Sequence, residues 1–114
     1  MPQTKKPTPL STHALAAFLT WKQFDIIVLL RQEEVLSTGQ LSDLLDEIVQ
    51  YDITHGGAFY TGVTDGATYS SMRTLERRQL VVRHLDDTGL TQWSLTGRAG
   101  AALDWFEQTR LYAA

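Results

Sequence analysis

The chain has no cysteine, which excludes disulfides and thiolate–metal sites and makes the cytoplasm its default location. It has no run of about 18 apolar residues. The longest aliphatic stretch, Ile26–Leu30, is too short to span a bilayer. Its three prolines all lie within residues 1–10, a stretch with no hydrophobic pattern that reads as a flexible N-terminal arm. Lys5 and Lys6 sit in this arm with no apolar segment behind them, so it is not a secretory signal. Signatures of chemistry are absent as well. His13, His55 and His84 lie far apart and form no His-x-x-x-His pair, and there is neither a phosphate loop nor a Gly-x-Ser-x-Gly elbow. Gly56-Gly57 lacks the lysine and following helix of a phosphate loop. Nothing places serine, histidine and aspartate as a triad. No enzyme activity, metal or cofactor is expected.

What is present suffices for one domain, residues 11–114, with 43% apolar residues to build a core. The net charge of −3 counts against indiscriminate polyanion binding. That charge is unevenly spread. Residues 40–54 hold Asp43, Asp46, Glu47 and Asp52 and no basic side chain, whereas residues 73–84 hold Arg73, Arg77, Arg78, Arg83 and His84 against Glu76 alone. A local basic surface on an acidic body follows.

The stretch Thr64–Asp87 organises the rest. Asp65 is suited to start a helix by accepting bonds from its first free N–H groups. Ser70, Arg73, Thr74 and Arg77 then recur at i, i+3, i+4 and i+7, which puts them on one face. Tyr69, Met72 and Leu75 lie roughly opposite. The polar face offers hydroxyls and guanidinium groups, the donors that bind phosphate oxygens and base edges. The competing reading is an ordinary solvated helix face.

Elements before and after frame this helix. Ser11–Trp21 reads as a short helix and Gln23–Glu34 as a second helix or its continuation, with a strand as the alternative for Ile26–Leu30. Ser37 and Gln40 make a capping box, and Leu41, Leu44, Leu45, Ile48 and Val49 give the stripe of an amphipathic helix. Residues 51–64 read as a loop tucked onto the core, with a short strand or a lip over a small-molecule effector pocket as alternatives. Beyond the helix, Leu80–Leu85 is strand-like and Thr91–Leu95 alternates, and the two read as a hairpin around Asp86-Asp87-Thr88-Gly89, with Trp93 and Leu95 facing inward. Thr96 caps a last helix through about Tyr112. The apolar excess of the first and last helices is either packed together within one subunit or used to join two.

The order is helix, helix, helix, strand, turn, strand, helix, and Ala67-Thr68-Tyr69, Leu75-Glu76, Leu80-Val81-Val82 and then Trp93, Leu95, Thr96 and Gly100 punctuate residues 65–105. Over that stretch the chain resembles the winged helix-turn-helix of PadR-type bacterial transcriptional regulators, and more distantly the MarR type. Ala67, Thr68 and Tyr69 open the matching helix, Leu75-Glu76 sits later in it, and Leu80, Val81 and Val82 begin the strand beyond. Trp93, Leu95, Thr96 and Gly100 correspond to the aromatic and Leu-Thr-x-x-Gly that close the wing, with three residues here between Thr96 and Gly100 in place of two. Gln79 stands where the pattern has glycine, so the helix is expected to close with Gln79 outside the left-handed region. Asp86 and Asp87 stand on a wing that is often basic, so this wing is not expected to lie along phosphates.

The fold class implied is mainly α with a small two-stranded β-hairpin, a winged helix-turn-helix dimerising through its N- and C-terminal helices. The function implied is a sequence-specific, homodimeric regulator, a repressor, that binds double-stranded operator DNA through helix 67–79. Its candidate DNA contacts are Thr68, Ser70, Ser71, Arg73, Thr74 and Arg77, with Arg78 and Arg83 holding phosphate or, alternatively, forming surface ion pairs. The other readings are a winged helix kept as a protein–protein interaction module, suggested by the acidic wing, and a replication, partition or transfer control protein of a mobile element.

Overall fold

The computed structural model describes residues 19–106, with side chains through residue 104. The arm at 1–10, most of the expected Ser11–Trp21 helix and the chain beyond Phe106 lie outside the described residues. Helix α1 (Trp21–Glu33) is followed by strand β1 (Leu36–Ser37), helix α2 (Thr38–Thr54), helix α3 (Asp65–Arg77), strands β2 (Val81–Leu85) and β3 (Thr91–Leu95) and helix α4 (Gly97–Phe106). The expected mainly helical winged fold is present, with one strand more than the sequence suggested. The sheet is antiparallel in the order β1-β3-β2, and Leu36 pairs with Trp93 across β1 and β3.

Capping residues set where the helices start. Thr20 and Gln23 form a reciprocal box at α1: Gln23 N–H donates to Thr20 Oγ1 at 3.1 Å, and Thr20 N–H to Gln23 Oε1 at 3.0 Å. Ser37 and Gln40 repeat the arrangement at α2. At α3 the cap is Thr64, whose Oγ1 accepts from Ala67 N–H at 3.1 Å, so Asp65 occupies the first turn instead and complements the helix dipole from there. Helix α2 runs one turn further than its apolar stripe, to Thr54, and this shortens the loop to residues 55–64. That loop forms no strand. Tyr60 docks it onto α1 by donating its hydroxyl to Asp25 Oδ2 at 2.6 Å, and Phe59 stacks on Trp21 with centroids 4.8 Å apart. Burial, together with nearby Asp52, raises the pKa of Asp25.

Helix α1 is the spine of the domain, packing against α2, α4 and β3. Ile26, Ile27 and Leu30 join Leu41, Leu45, Met72, Leu75, Leu80, Trp93, Ala102 and Leu103 in one core. Each fully buried large aliphatic side chain contributes about 1.5–3 kcal/mol. Helix α3 packs on α2 on one side and β2 on the other, so its apolar face is used and its polar face is left outward.

The end of α3 departs from expectation. Gln79 adopts φ +62°, inside the left-handed region. Leu80 N–H donates to Leu75 O at 3.0 Å and Gln79 N–H to Glu76 O at 2.9 Å, the paired bonds that require a left-handed residue at this position. The buried side chains of Leu75 and Leu80 meet beneath the turn, and the Gln79 side chain accepts from Arg98 Nη1 at 3.0 Å. Thr96 donates its hydroxyl to Gln79 O at 2.7 Å, which ties the residue before α4 to the end of α3. A non-glycine residue in this region costs about 1–2 kcal/mol. Gln79→Gly is therefore expected to raise stability by about 1 kcal/mol, less the small loss of one exposed hydrogen bond. Gln79→Ala keeps the strain, loses the bond and should fall below wild type. Thermal melts of the three proteins check the order Gly, Gln, Ala; a glycine variant no more stable than the alanine variant would refute it.

Candidate nucleic-acid interface

The outward face of α3 brings most of the expected residues together, but not all. Ser70 is exposed. Thr74 donates its hydroxyl to Ser70 O at 3.2 Å and accepts from Arg77 Nη2 at 3.1 Å, which braces the Arg77 guanidinium along the helix. Arg77 is exposed and forms no ion pair among the described residues. Ser71 is half-buried and donates its hydroxyl to Ala67 O at 3.1 Å, which leaves it at the margin.

Thr68 does not belong to this face. It is fully buried on the core side of α3, and its hydroxyl has no hydrogen-bond partner among the described residues. The reason is angular: at about 100° per residue Thr68 shares the packed side with Met72, four residues on, and lies nearly opposite Ser70 and Arg77. Arg78, at the C-cap, is half-buried and makes no ion pair among the described residues. Its Nη1 is buried without a hydrogen-bond partner among them.

Arg73 and Arg83 are drawn into a network that sequence reasoning missed. The Glu76 carboxylate lies 2.9 Å from Arg73 Nε and 3.3 Å from Arg83 Nε. Arg83 Nη1 also donates to the Tyr69 hydroxyl at 3.0 Å, and the Arg73 guanidinium carbon lies 6.0 Å from the centre of the Tyr69 ring. Both guanidinium groups, Arg73 first, hold the Tyr69 phenol below its ordinary pKa. The ring in turn meets Trp93 edge-on at 6.0 Å. Arg83 pairs with Trp93 across the hairpin and projects from the inner face of β2 toward α3. Within α3 the signal was readable, since Tyr69, Arg73 and Glu76 stand at i, i+4 and i+7. The partner from β2 was not, because it depends on how the hairpin docks.

The wing turn is shaped by one carboxylate. Asp86 Oδ1 accepts from the Thr88 hydroxyl at 2.6 Å, Thr88 N–H at 2.8 Å and Leu90 N–H at 2.9 Å, while Oδ2 accepts from Gln92 Nε2 at 3.1 Å. Gly89, at φ +84°, supplies the left-handed step that closes the turn. These bonds, the Thr88 hydroxyl foremost, lower the Asp86 pKa to about 2. A depressed folded-state pKa contributes order above the ordinary carboxylate range and loses it as the pH falls through the depressed value. The Thr88 and Leu90 amide resonances should thus hold steady down to about pH 4 and move with a midpoint of about 2. A midpoint near 4 would mean that the carboxylate does not organise the turn. Asp87 is exposed and makes no ion pair among the described residues.

Among the described residues no cluster of histidine, aspartate or glutamate could hold a metal, and no helix is long and apolar enough to cross a membrane.

No protein-family model and no curated protein matches the sequence. Solved structures do resemble the fold. A mutant MarR from E. coli, in complex with operator DNA, superposes with a TM-score of 0.63 at 17% identity, over 84% of this chain and 61% of that one. The adhesin competence repressor AdcR of Streptococcus pyogenes gives 0.60 at 19% identity, over 90% and 67%. MepR, a transcription regulator of the Staphylococcus aureus multidrug efflux pump MepA, gives 0.56 at 18% identity, over 90% and 76%. The chain spans about 61% of the length of the MarR structure. These neighbours are MarR-type winged helices. The likeness therefore falls on the more distant of the two resemblances seen in the sequence, and the PadR type gains no support from it.

Proposed function

We infer that the chain is a sequence-specific, duplex-DNA-binding transcription regulator that acts as a homodimeric repressor, with α3 entering the major groove. The observation that carries this reading is the open polar edge of α3. There Ser70, Thr74 and Arg77, the last with no ion pair among the described residues, face outward beside Arg73. Arg78 flanks that edge and would anchor phosphate. The likeness of the fold to MarR bound to operator DNA supports this placement of the helix, and the repressor sense is carried over from the adhesin competence repressor. The homodimer rests on the apolar surface of the terminal segments in the sequence.

Selection from a duplex pool of randomised sequence tests the reading. The expected product is an inverted repeat with half-sites about 34 Å apart, bound with an affinity that falls steeply with salt. Light scattering should give twice the monomer mass. A pool that yields no enriched sequence sinks the reading.

One observation favours a second function. Leu85 and Leu90 are exposed on the wing beside Asp87, a surface better suited to a protein than to phosphates. An interaction module of this kind would bind its partner with little dependence on salt, because no condensed counterions are released.

A further inference from the structure

Glu76 is the one acid within the basic segment 73–84. A carboxylate there weakens the attraction to a polyanion, so its geometry calls for a reason. It is no loosely solvated side chain: only 26% of it is exposed, and its two oxygens are divided between Arg73 of α3 and Arg83 of β2. Both approaches are ion-pair contacts at Nε, and Arg73 Nε has no hydrogen-bond partner among the described residues. A carboxylate on the Nε side leaves the far edge of the guanidinium, its two terminal nitrogens, to match the two acceptors of guanine or of a phosphate. Arg83 commits Nη1 to the Tyr69 hydroxyl and has Nη2 left. Arg73 leans on the Tyr69 ring, and its side chain stays 42% exposed.

Building on the DNA-binding reading above, we propose that Glu76 is a positioning residue that sets specificity. It fixes the Arg73 fork on the reading face and ties the wing strand to the reading helix. It also cancels part of the attraction that any sequence would enjoy. Rotamer freedom is then lost on folding rather than on binding, so a correctly placed base edge meets an arginine already aimed. A duplex without that base edge gains only the reduced electrostatic attraction. The trade lowers affinity for all DNA and raises the difference between sequences, which is the quantity a regulator needs among many competing sites.

Glu76→Gln tests this, because it keeps the size and removes the charge. The probes are the duplex that wild type enriches from a randomised pool and the unselected pool itself, each titrated over a salt series. Affinity of the variant for the unselected pool should rise, and its salt dependence should steepen by about one to two phosphate equivalents. Its preference for the enriched duplex should drop about tenfold, the scale of one base pair's discrimination. The melting temperature should stay within a few degrees of wild type, since the arginine ends of both pairs stay open to solvent and such pairs contribute little to folding. Adding Arg83→Gln to Glu76→Gln should return the salt dependence toward the wild-type value. Equal changes for both probes with an unchanged salt dependence would overturn the proposal and leave Glu76 a structural residue. A wild-type chain that selects a sequence, with a variant that behaves identically, would overturn this proposal alone. A wild-type chain that binds no duplex would overturn the functional reading with it.

Discussion

Trp93→Ala should cost about 3–5 kcal/mol, the largest loss expected from any single truncation in the domain. For a domain whose whole stability is about 5–15 kcal/mol, this is enough to leave a substantial fraction unfolded near body temperature. The reason is the position of the ring. Trp93 lies on the central strand of the sheet, paired with Leu36 on one side and Arg83 on the other, and it is fully buried. Its Nε1–H donates to Thr38 Oγ1 at 2.9 Å, which links the sheet to the first residue of α2, and its edge supports Tyr69. Alanine leaves a cavity between four elements that cannot all close on it. Trp93→Phe retains most of the apolar area and forfeits the hydrogen bond, and should cost about 1–2 kcal/mol. Urea unfolding measures both: the midpoint should fall in that order at constant slope. An alanine variant within about 1 kcal/mol of wild type would mean that the sheet does not depend on this side chain.

Arg77→Ala should weaken binding to the selected duplex by about 1–3 kcal/mol, or roughly 5- to 150-fold, and relax the preference at one base position. Its stability should match wild type, because Arg77 makes one exposed hydrogen bond and no ion pair among the described residues. Arg73→Ala removes a partner of Glu76 as well as a reader, so its effect mixes two causes and Arg77 gives the cleaner measurement. Gel-shift titration against both selected and unselected duplexes separates the outcomes. A uniform loss across sequences assigns Arg77 to phosphate, and no loss at all excludes this edge of α3 as the reading surface.

The parts of this fold legible in the sequence are those fixed by near neighbours. The Ser37–Gln40 box, the apolar stripe of α2, the i, i+3, i+4, i+7 face of α3 and the alternation of the hairpin all act within a few residues, and each is readable. Strand β1 is not, since two residues carry no period and Leu36 finds its partner in Trp93 far along the chain. The cap at Thr20 is a local signal, masked because the aromatic and aliphatic residues after it suggest continuity with the preceding segment. Gln79 misleads for a subtler reason: a glutamine gives no sign of a left-handed backbone, which is imposed by burial of Leu75 and Leu80 on either side. Within the candidate site, spacing places Ser70, Thr74 and Arg77 together. The same spacing places Thr68 nearly opposite them, on the packed side, so its burial was legible too.

On the wing, form and adjustable charge reside in different residues. The loop takes its outline from Asp86, whose ionised carboxylate accepts four bonds from within the hairpin, while its neighbour Asp87 is exposed and holds no ion pair among the described residues. Such a division makes the tip modular. Drift at the Asp87 codon to a lysine would offset the Asp86 charge without redrawing the bend, so winged proteins of this shape can shed a repulsion from the sugar–phosphate rails while the rest of the scaffold stays as it is.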